Sequence, residues 1–217
     1  DLPEDVPPLR SFYLYMTSGC NLACRHCWIN PTYENGIPTP GEYIDLKLLK
    51  KAVAEAKPMG LSQAKLTGGE PLLHPQFKEI VTFLHNEEIP VTMETNGTLL
   101  DRDLALFIKE ASSIWHISVS LDSPRPEYHD KFRGVEGAFE TAVQGIRHLV
   151  AAGIHPQVIM CPHRGNRHEL EDLVKFTEEL GVSSMKFNPV NGVGRGKSLQ
   201  EKGEGFDFDE TLALVRY

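Results

Sequence analysis

The stretch Ser11-Phe12-Tyr13-Leu14-Tyr15-Met16-Thr17-Ser18-Gly19-Cys20-Asn21-Leu22-Ala23-Cys24-Arg25-His26-Cys27-Trp28 decides how this chain is read. Ser11 to Thr17 is aromatic and apolar, the composition of a strand. The loop after it holds three of the chain's four cysteines, spaced C-x3-C-x2-C. A short loop with that spacing can wrap an inorganic centre and present three sulfurs to it. Iron–sulfur clusters are ordinarily held by four cysteines. Three therefore point to a cubane cluster of four irons with one iron left open, and an open position marks a metal site that does chemistry. Zinc would need a fourth ligand. His26 lies between two of the cysteines, where it cannot easily reach the same ion, and no second ligand pair occurs later in the chain. Four cysteines in a chain of 217 residues without a secretory signal do not make a disulfide framework. Ordinary thiols are the remaining alternative.

Outward from this loop, one two-part unit recurs. Helical spacing covers Asp45 to Lys57, with Asp45 placed as a cap. Strands are expected at Gln63–Leu66, Val91–Glu94, Trp115–Leu121, Gln157–Cys161 and Met185–Asn188. Helices are expected at Gln76–Asn86, Asp101–Ala111, Glu136–Ala152, Arg167–Leu180 and from Asp209 onward. Positions 30–42 and 192–206 read as irregular loops, and residues 1–10 as an extended lead-in. Alternating strands and helices imply an α/β fold with a parallel sheet and helices outside. Six such units form either an open doubly wound sheet or a partial barrel. Ligands then gather at the C-terminal strand ends, and every unusual motif of this chain falls there.

At the second strand end, Thr67-Gly68-Gly69-Glu70-Pro71 combines two glycines, which allow close backbone approach, with a carboxylate suited to an ammonium group. The third ends in Glu94-Thr95-Asn96-Gly97, a turn signal by itself. On the fourth, alternation puts Ser118, Ser120 and Asp122 on one face, with Val119 and Leu121 turned to the helices. A polar inner face is costly unless it meets ligand or water. The fifth carries Ile159 and the fourth cysteine, Cys161, which by default is a buried small hydrophobe. The sixth brings Phe187 and Val190, either to the pocket mouth or into the core.

The cysteine loop resembles the signature of the radical S-adenosylmethionine (radical SAM) superfamily, and five further stretches resemble that family in the expected order. The resemblance selects the partial (βα)6 barrel and makes residues 11–217 the radical SAM core domain. It implies that Cys20, Cys24 and Cys27 hold a [4Fe–4S] cluster, with His26 in preference to Trp28 against cluster and adenine. It implies that Gly68, Gly69 and Glu70 meet the amino group of SAM, with Thr95 and Asn96 nearby. Ser118, Ser120 and Asp122 would reach its ribose or methionine part, Arg133 its carboxylate, and Ile159 and Phe187 its adenine. Cys161 is a candidate hydrogen-atom donor, as a thiol is in some peptide epimerases of the superfamily. The expected chemistry is reductive cleavage of SAM to a 5′-deoxyadenosyl radical that takes a hydrogen atom from substrate. The electron would come from a low-potential donor such as a flavodoxin or ferredoxin.

TSGCNLACRHCW, TGGEPLLHP and SVSLDSP look most like the SPASM-type branch that modifies peptides and proteins. That branch often adds a C-terminal extension with further cysteines. None occurs after Cys161 here, so such an extension is expected to be missing from this chain. Haem-type and molybdopterin cofactor synthesis are alternatives, and a non-catalytic iron–sulfur electron carrier is one of another class. A net charge of −8 argues against nucleic acid and membrane surfaces as partners. Clustered free thiols point to the cytoplasm.

Overall fold

The structure, a computed structural model, describes residues 6–29, 31, 33–34, 37–38 and 41–215. The first half of the expected lead-in, parts of the 30–42 loop and the end of the last helix lie outside the described residues. β1 (Ser11–Tyr15) leads into the cysteine loop. Two-residue strands β2 (Tyr33–Glu34) and β3 (Ile37–Pro38) pair antiparallel within the stretch read as irregular. The repeating units are built from α1 (Leu46–Ala56), β4 (Gln63–Thr67), α2 (Phe77–Asn86), β5 (Val91–Thr95), α3 (Arg102–Ala111) and β6 (Ile114–Ser120). Then come α4 (Pro126–Arg133), α5 (Ala138–Ala151), β7 (Gln157–Met160), α6 (Leu170–Glu179), β8 (Ser184–Phe187), α7 (Gly196–Glu201) and α8 (Phe208–Val215).

Six strands form one parallel sheet in the order β1-β4-β5-β6-β7-β8. With its flanking helices this is the partial barrel that the resemblance implies, with β1 and β8 as its outer strands. Period-two alternation divides the sheet. Leu14, Leu66, Met93, Val119 and Val158 face the helices and join one core with Val53, Ile80, Ile108 and Ile146. Each fully buried aliphatic side chain there stabilises the fold by roughly 1.5–3 kcal/mol. The opposite, concave face carries Tyr13, Lys65, Glu94, Ser118 and Ser120.

Helix starts obey capping chemistry. The Asp45 carboxylate accepts from Leu48 N (2.7 Å) and that of Asp101 from Leu104 N (2.7 Å). Two helices depart from the expected pattern. α4 lies in a stretch for which no element was expected, and α7 lies inside the 192–206 stretch read as an irregular loop. The carboxylate of Asp130 on α4 accepts from the backbone N of Gly137 and Phe139 (2.7 Å each) and so fixes the turn into α5.

Candidate active site

The cysteine loop is held by its own backbone on several sides. Ala23 N donates to Arg133 O and Arg25 N to Phe132 O (2.9 Å each), so the end of α4 cradles the loop. Arg195 N donates to Cys27 O (2.9 Å). From β4, Gly69 N donates to Thr17 O and Glu70 N to Gly19 O (2.8 Å each). A Cβ on Gly69 would sit 1.7 Å from Gly19 O, and Gly68 has φ +123°. The glycine pair therefore serves first to press one strand end against the cysteine loop.

These contacts close a cavity of about 500 Å³. Cys20, Cys24, Cys27, His26, Gly68, Gly69, Glu70, Thr95, Asn96, Ser120, Arg133, Ile159 and Cys161 all line it. Three expected residues do not. Ser118 lies one rung lower, donating to Gln157 Oε1 (3.1 Å). Asp122 is fully buried and bound to Arg133. Phe187 is corrected to a core residue: with Met185 it packs outward against the helix layer, and Lys186 takes the inward position. Trp28 and Val190 also line the cavity.

Glu70 is buried, and its carboxylate accepts from Thr95 Oγ1 (2.7 Å), Asn96 N (2.8 Å) and Leu72 N (3.1 Å). Burial nevertheless pushes its pKa up to about 7. Asn96 Nδ2 donates to Asn21 Oδ1 (2.8 Å) and lies 3.9 Å from Cys20 Sγ, tying this carboxylate to the cysteine loop. On the opposite side, Arg133 Nε donates to Asp122 Oδ2 (2.6 Å) and its Nη1 lies 3.6 Å from Cys24 Sγ. Burial alone would raise the Asp122 pKa, but Arg133 and the neighbouring histidines hold it below the usual carboxylate range. His26 stacks flat on Phe132, with ring centroids 4.5 Å apart. Burial lowers its pKa to about 3, and Nδ1 is buried without a hydrogen bond.

The Glu70 value has a consequence for stability. A carboxylate whose folded pKa lies above its unfolded value favours folding in acid and loses that contribution as pH rises through the folded value. The cofactor-free protein is expected to lose on the order of 3 kcal/mol between pH 4.5 and 8 from this group. Glu70→Gln should flatten that part of a Tm-versus-pH curve. An unchanged slope in the variant would show that another group produces it.

The donor set separates a single ion from a cluster. Among the described residues, His26, Asp122 and Cys161 have ligand atoms within 4.8 Å of one another; the cysteine trio is not gathered that tightly. Both Asp122 oxygens are committed, one to Arg133 Nε (2.6 Å) and one to Cys161 N (2.8 Å), which leaves that compact set without a free carboxylate oxygen for an ion. Four tetrahedral zinc ligands crowd around one point, whereas a cubane offers each sulfur its own iron. Three cysteines that line one cavity without converging on one point suit the cluster. The cysteines are free, and burial pushes Cys20 up to about 12 and Cys24 also upward. Loading a metal there must expel protons.

A family model described as the radical SAM superfamily matches residues 14–177. The chain belongs to the radical SAM superfamily. The cofactors of this radical SAM domain are accordingly a [4Fe–4S] cluster and SAM. The chain is 32% identical over 213 residues to an AdoMet-dependent heme synthase of Nitratidesulfovibrio vulgaris, covering 97% of this chain and 56% of that protein. It is 30% identical over 184 residues to AlbA of Bacillus subtilis, an antilisterial bacteriocin subtilosin biosynthesis protein, covering 85% and 40%. The chain thus spans about half the length of the curated relatives it matches. The crystal structure of Streptococcus suis SuiB bound to S-adenosylmethionine shares the fold, with a TM-score of 0.70 at 17% identity, covering 86% of this chain and 41% of that one. No helix among the described residues is long and apolar enough to cross a membrane.

The sequence pattern does not reveal two features. One is α4, which carries Arg133 at its end and buries it. The other is the inward-facing set of Lys65, Glu94 and Lys186. The alternation of β4, β5 and β8 places these three on one face but names no role for them.

Proposed function

We propose that this domain catalyses hydrogen-atom abstraction from a peptide or protein substrate. The observation that carries the reading is that Cys20, Cys24 and Cys27 share one cavity with Glu70 and Arg133. In this reading each of the three cysteines ligates one iron. Glu70, ionised above about pH 7, receives the ammonium of SAM, and Arg133 receives its carboxylate while staying neutralised from behind by Asp122. Thr95 and Asn96 orient the Glu70 carboxylate, Ser120 meets the ribose, and Ile159 and the His26 ring border the adenine. When bound, cluster and SAM supply a one-electron cleavage of the sulfonium and a 5′-deoxyadenosyl radical. The protein's part is to orient the reacting groups and exclude water, and a buried wall of this kind does both.

Identity to AlbA, a bacteriocin biosynthesis protein, supports the peptide reading. A second reading, a tetrapyrrole of the haem type, has its own support in the alignment to the heme synthase across 97% of the chain. Both need a low-potential electron donor, and a flavodoxin or ferredoxin in the cytoplasm suits a chain whose cysteines are all free. The experiment is anaerobic reconstitution with iron and sulfide, addition of SAM and reductant, and assay for 5′-deoxyadenosine. Its absence under several reductants would replace this function with that of an electron carrier.

Cys161 is the candidate hydrogen-atom donor. It lines the cavity, and burial drives its pKa upward, so the sulfur keeps its hydrogen. Cys161→Ala is expected to keep the cluster while turnover falls or product stereochemistry changes. A variant identical to wild type in both ends this assignment.

A further inference from the structure

The concave face of the sheet holds charged groups that the cofactor assignment leaves unused. Lys65 Nζ on β4 donates to Glu94 Oε1 on β5 (2.6 Å). Lys186 Nζ reaches toward the same oxygen from β8, the far edge of the sheet, at 3.9 Å. Only a curved sheet lets a side chain span from β8 back to β5. Glu94 lines the cavity, and the two ammonium groups reach its border through their contacts to that carboxylate. Two cations meet one carboxylate, leaving a net positive charge inside a chain whose overall charge is −8. The Lys186–Glu94 separation exceeds hydrogen-bond length, and the Lys186 side chain is 45% exposed. Alternation with the core residues Met185 and Phe187 puts Lys186 on the concave face.

The outer strand β1 supplies the other wall. Leu14 points into the core, so Tyr13 and Tyr15 point to the concave side, 65% and 47% exposed. Lys65 Nζ lies 5.6 Å from the Tyr13 ring centroid. Tyr15 meets Trp28 edge-on at 5.8 Å, and Trp28, itself half exposed, lines the cavity. Exposed aromatic rings leading into a buried site are a surface that gains from being covered by an apolar body.

We propose that this rim is the substrate subsite, and that it selects a substrate with an apolar body and a carboxylate. The ammonium of Lys186, backed by Lys65, holds the carboxylate, and Tyr13, Tyr15 and Trp28 pack the body. A glutamate or aspartate side chain of a peptide supplies that chemistry, and so does a propionate of a tetrapyrrole. The proposal rests on the reading that this cavity hosts SAM-dependent hydrogen abstraction.

The test uses the full chain with cluster and SAM bound, with tryptophan fluorescence and calorimetry as readouts. One probe pair is mesoporphyrin IX and its dimethyl ester; the other is a short peptide with one glutamate beside a tyrosine and its glutamine twin. At least one acid should bind about tenfold more tightly than its neutral twin, the scale of one charge-assisted hydrogen bond. Lys186→Glu should erase that preference and Lys186→Arg should keep it. Lys51→Glu, the same charge change on the exposed face of α1, should also keep it. The acid that shows the preference identifies the source of the carboxylate. Equal binding of acid and neutral twin, binding of neither acid, or a preference that survives Lys186→Glu each overturn the proposal. The wild-type preparation is also assayed for 5′-deoxyadenosine without substrate. If none forms, the underlying function fails; if it forms without an acid preference, only the subsite fails.

Discussion

Cys24→Ala protein, reconstituted anaerobically beside wild type, is expected to retain almost no iron, no cluster absorption and no 5′-deoxyadenosine formation. Cys24 is buried in the middle of the loop, and its sulfur faces Arg133 Nη1 at 3.6 Å. Two cysteines cannot hold a cubane, and the groups beside Cys24 are otherwise engaged. His26 stacks on Phe132, and Asp122 is bound to Arg133. Because an unloaded site keeps its thiols protonated, the alanine should disturb the fold far less than the chemistry. Cys161→Ala is the internal control for iron content and cluster absorption alone, since it removes a cavity thiol outside the three-cysteine loop. A Cys24→Ala protein with wild-type iron content would mean that the three sulfurs do not act as one ligand set.

Arg133→Met should carry the largest stability cost. Arg133 is 6% exposed and Asp122 fully buried, and they meet at 2.6 Å. Removing one partner of a buried ion pair typically costs about 3–5 kcal/mol, because the other charge stays buried and uncompensated. For a chain of this size that is roughly 6–20 °C in Tm. The sign with pH is set by Asp122. Its folded pKa lies below the usual range, so the stabilisation is present above the unfolded value and is lost as pH falls through the folded one. The deficit of Arg133→Met should therefore be full at neutral pH and shrink in acid. Combining it with Asp122→Asn should recover part of the loss, a coupling that a double-mutant cycle measures. A neutral-pH Tm within about 2 °C of wild type would mean that the pair contributes little to folding.

Several parts of this arrangement are readable residue by residue. C-x3-C-x2-C is a local pattern, and its three sulfurs do line one cavity. Gly68-Gly69-Glu70 is readable as a strand-end turn with a carboxylate. Its glycines, however, turn out to be needed for packing against Gly19. The caps Asp45 and Asp101 are equally local, because a cap acts within three residues. α4 is not readable. Pro126–Arg133 is half charged and buries His129, Phe132 and Arg133, too few apolar residues for a periodic signal. Phe187 shows the limit of alternation. The pattern Ser184-Met185-Lys186-Phe187 tells which residues share a face, but not which face looks into the barrel.

Residue order was enough for the βα repeat, the three-sulfur loop and the choice of a parallel sheet, because each depends on neighbours a few positions apart. Which partner each carboxylate finds needed the folded chain. Asp122 finds Arg133 across a helix, Glu70 finds Asn96 on the next strand, and Glu94 lies between lysines from two distant strands. Such pairings arise from the curvature of the sheet and the exclusion of water from its upper end. Both are properties of the closed packing and of no single stretch.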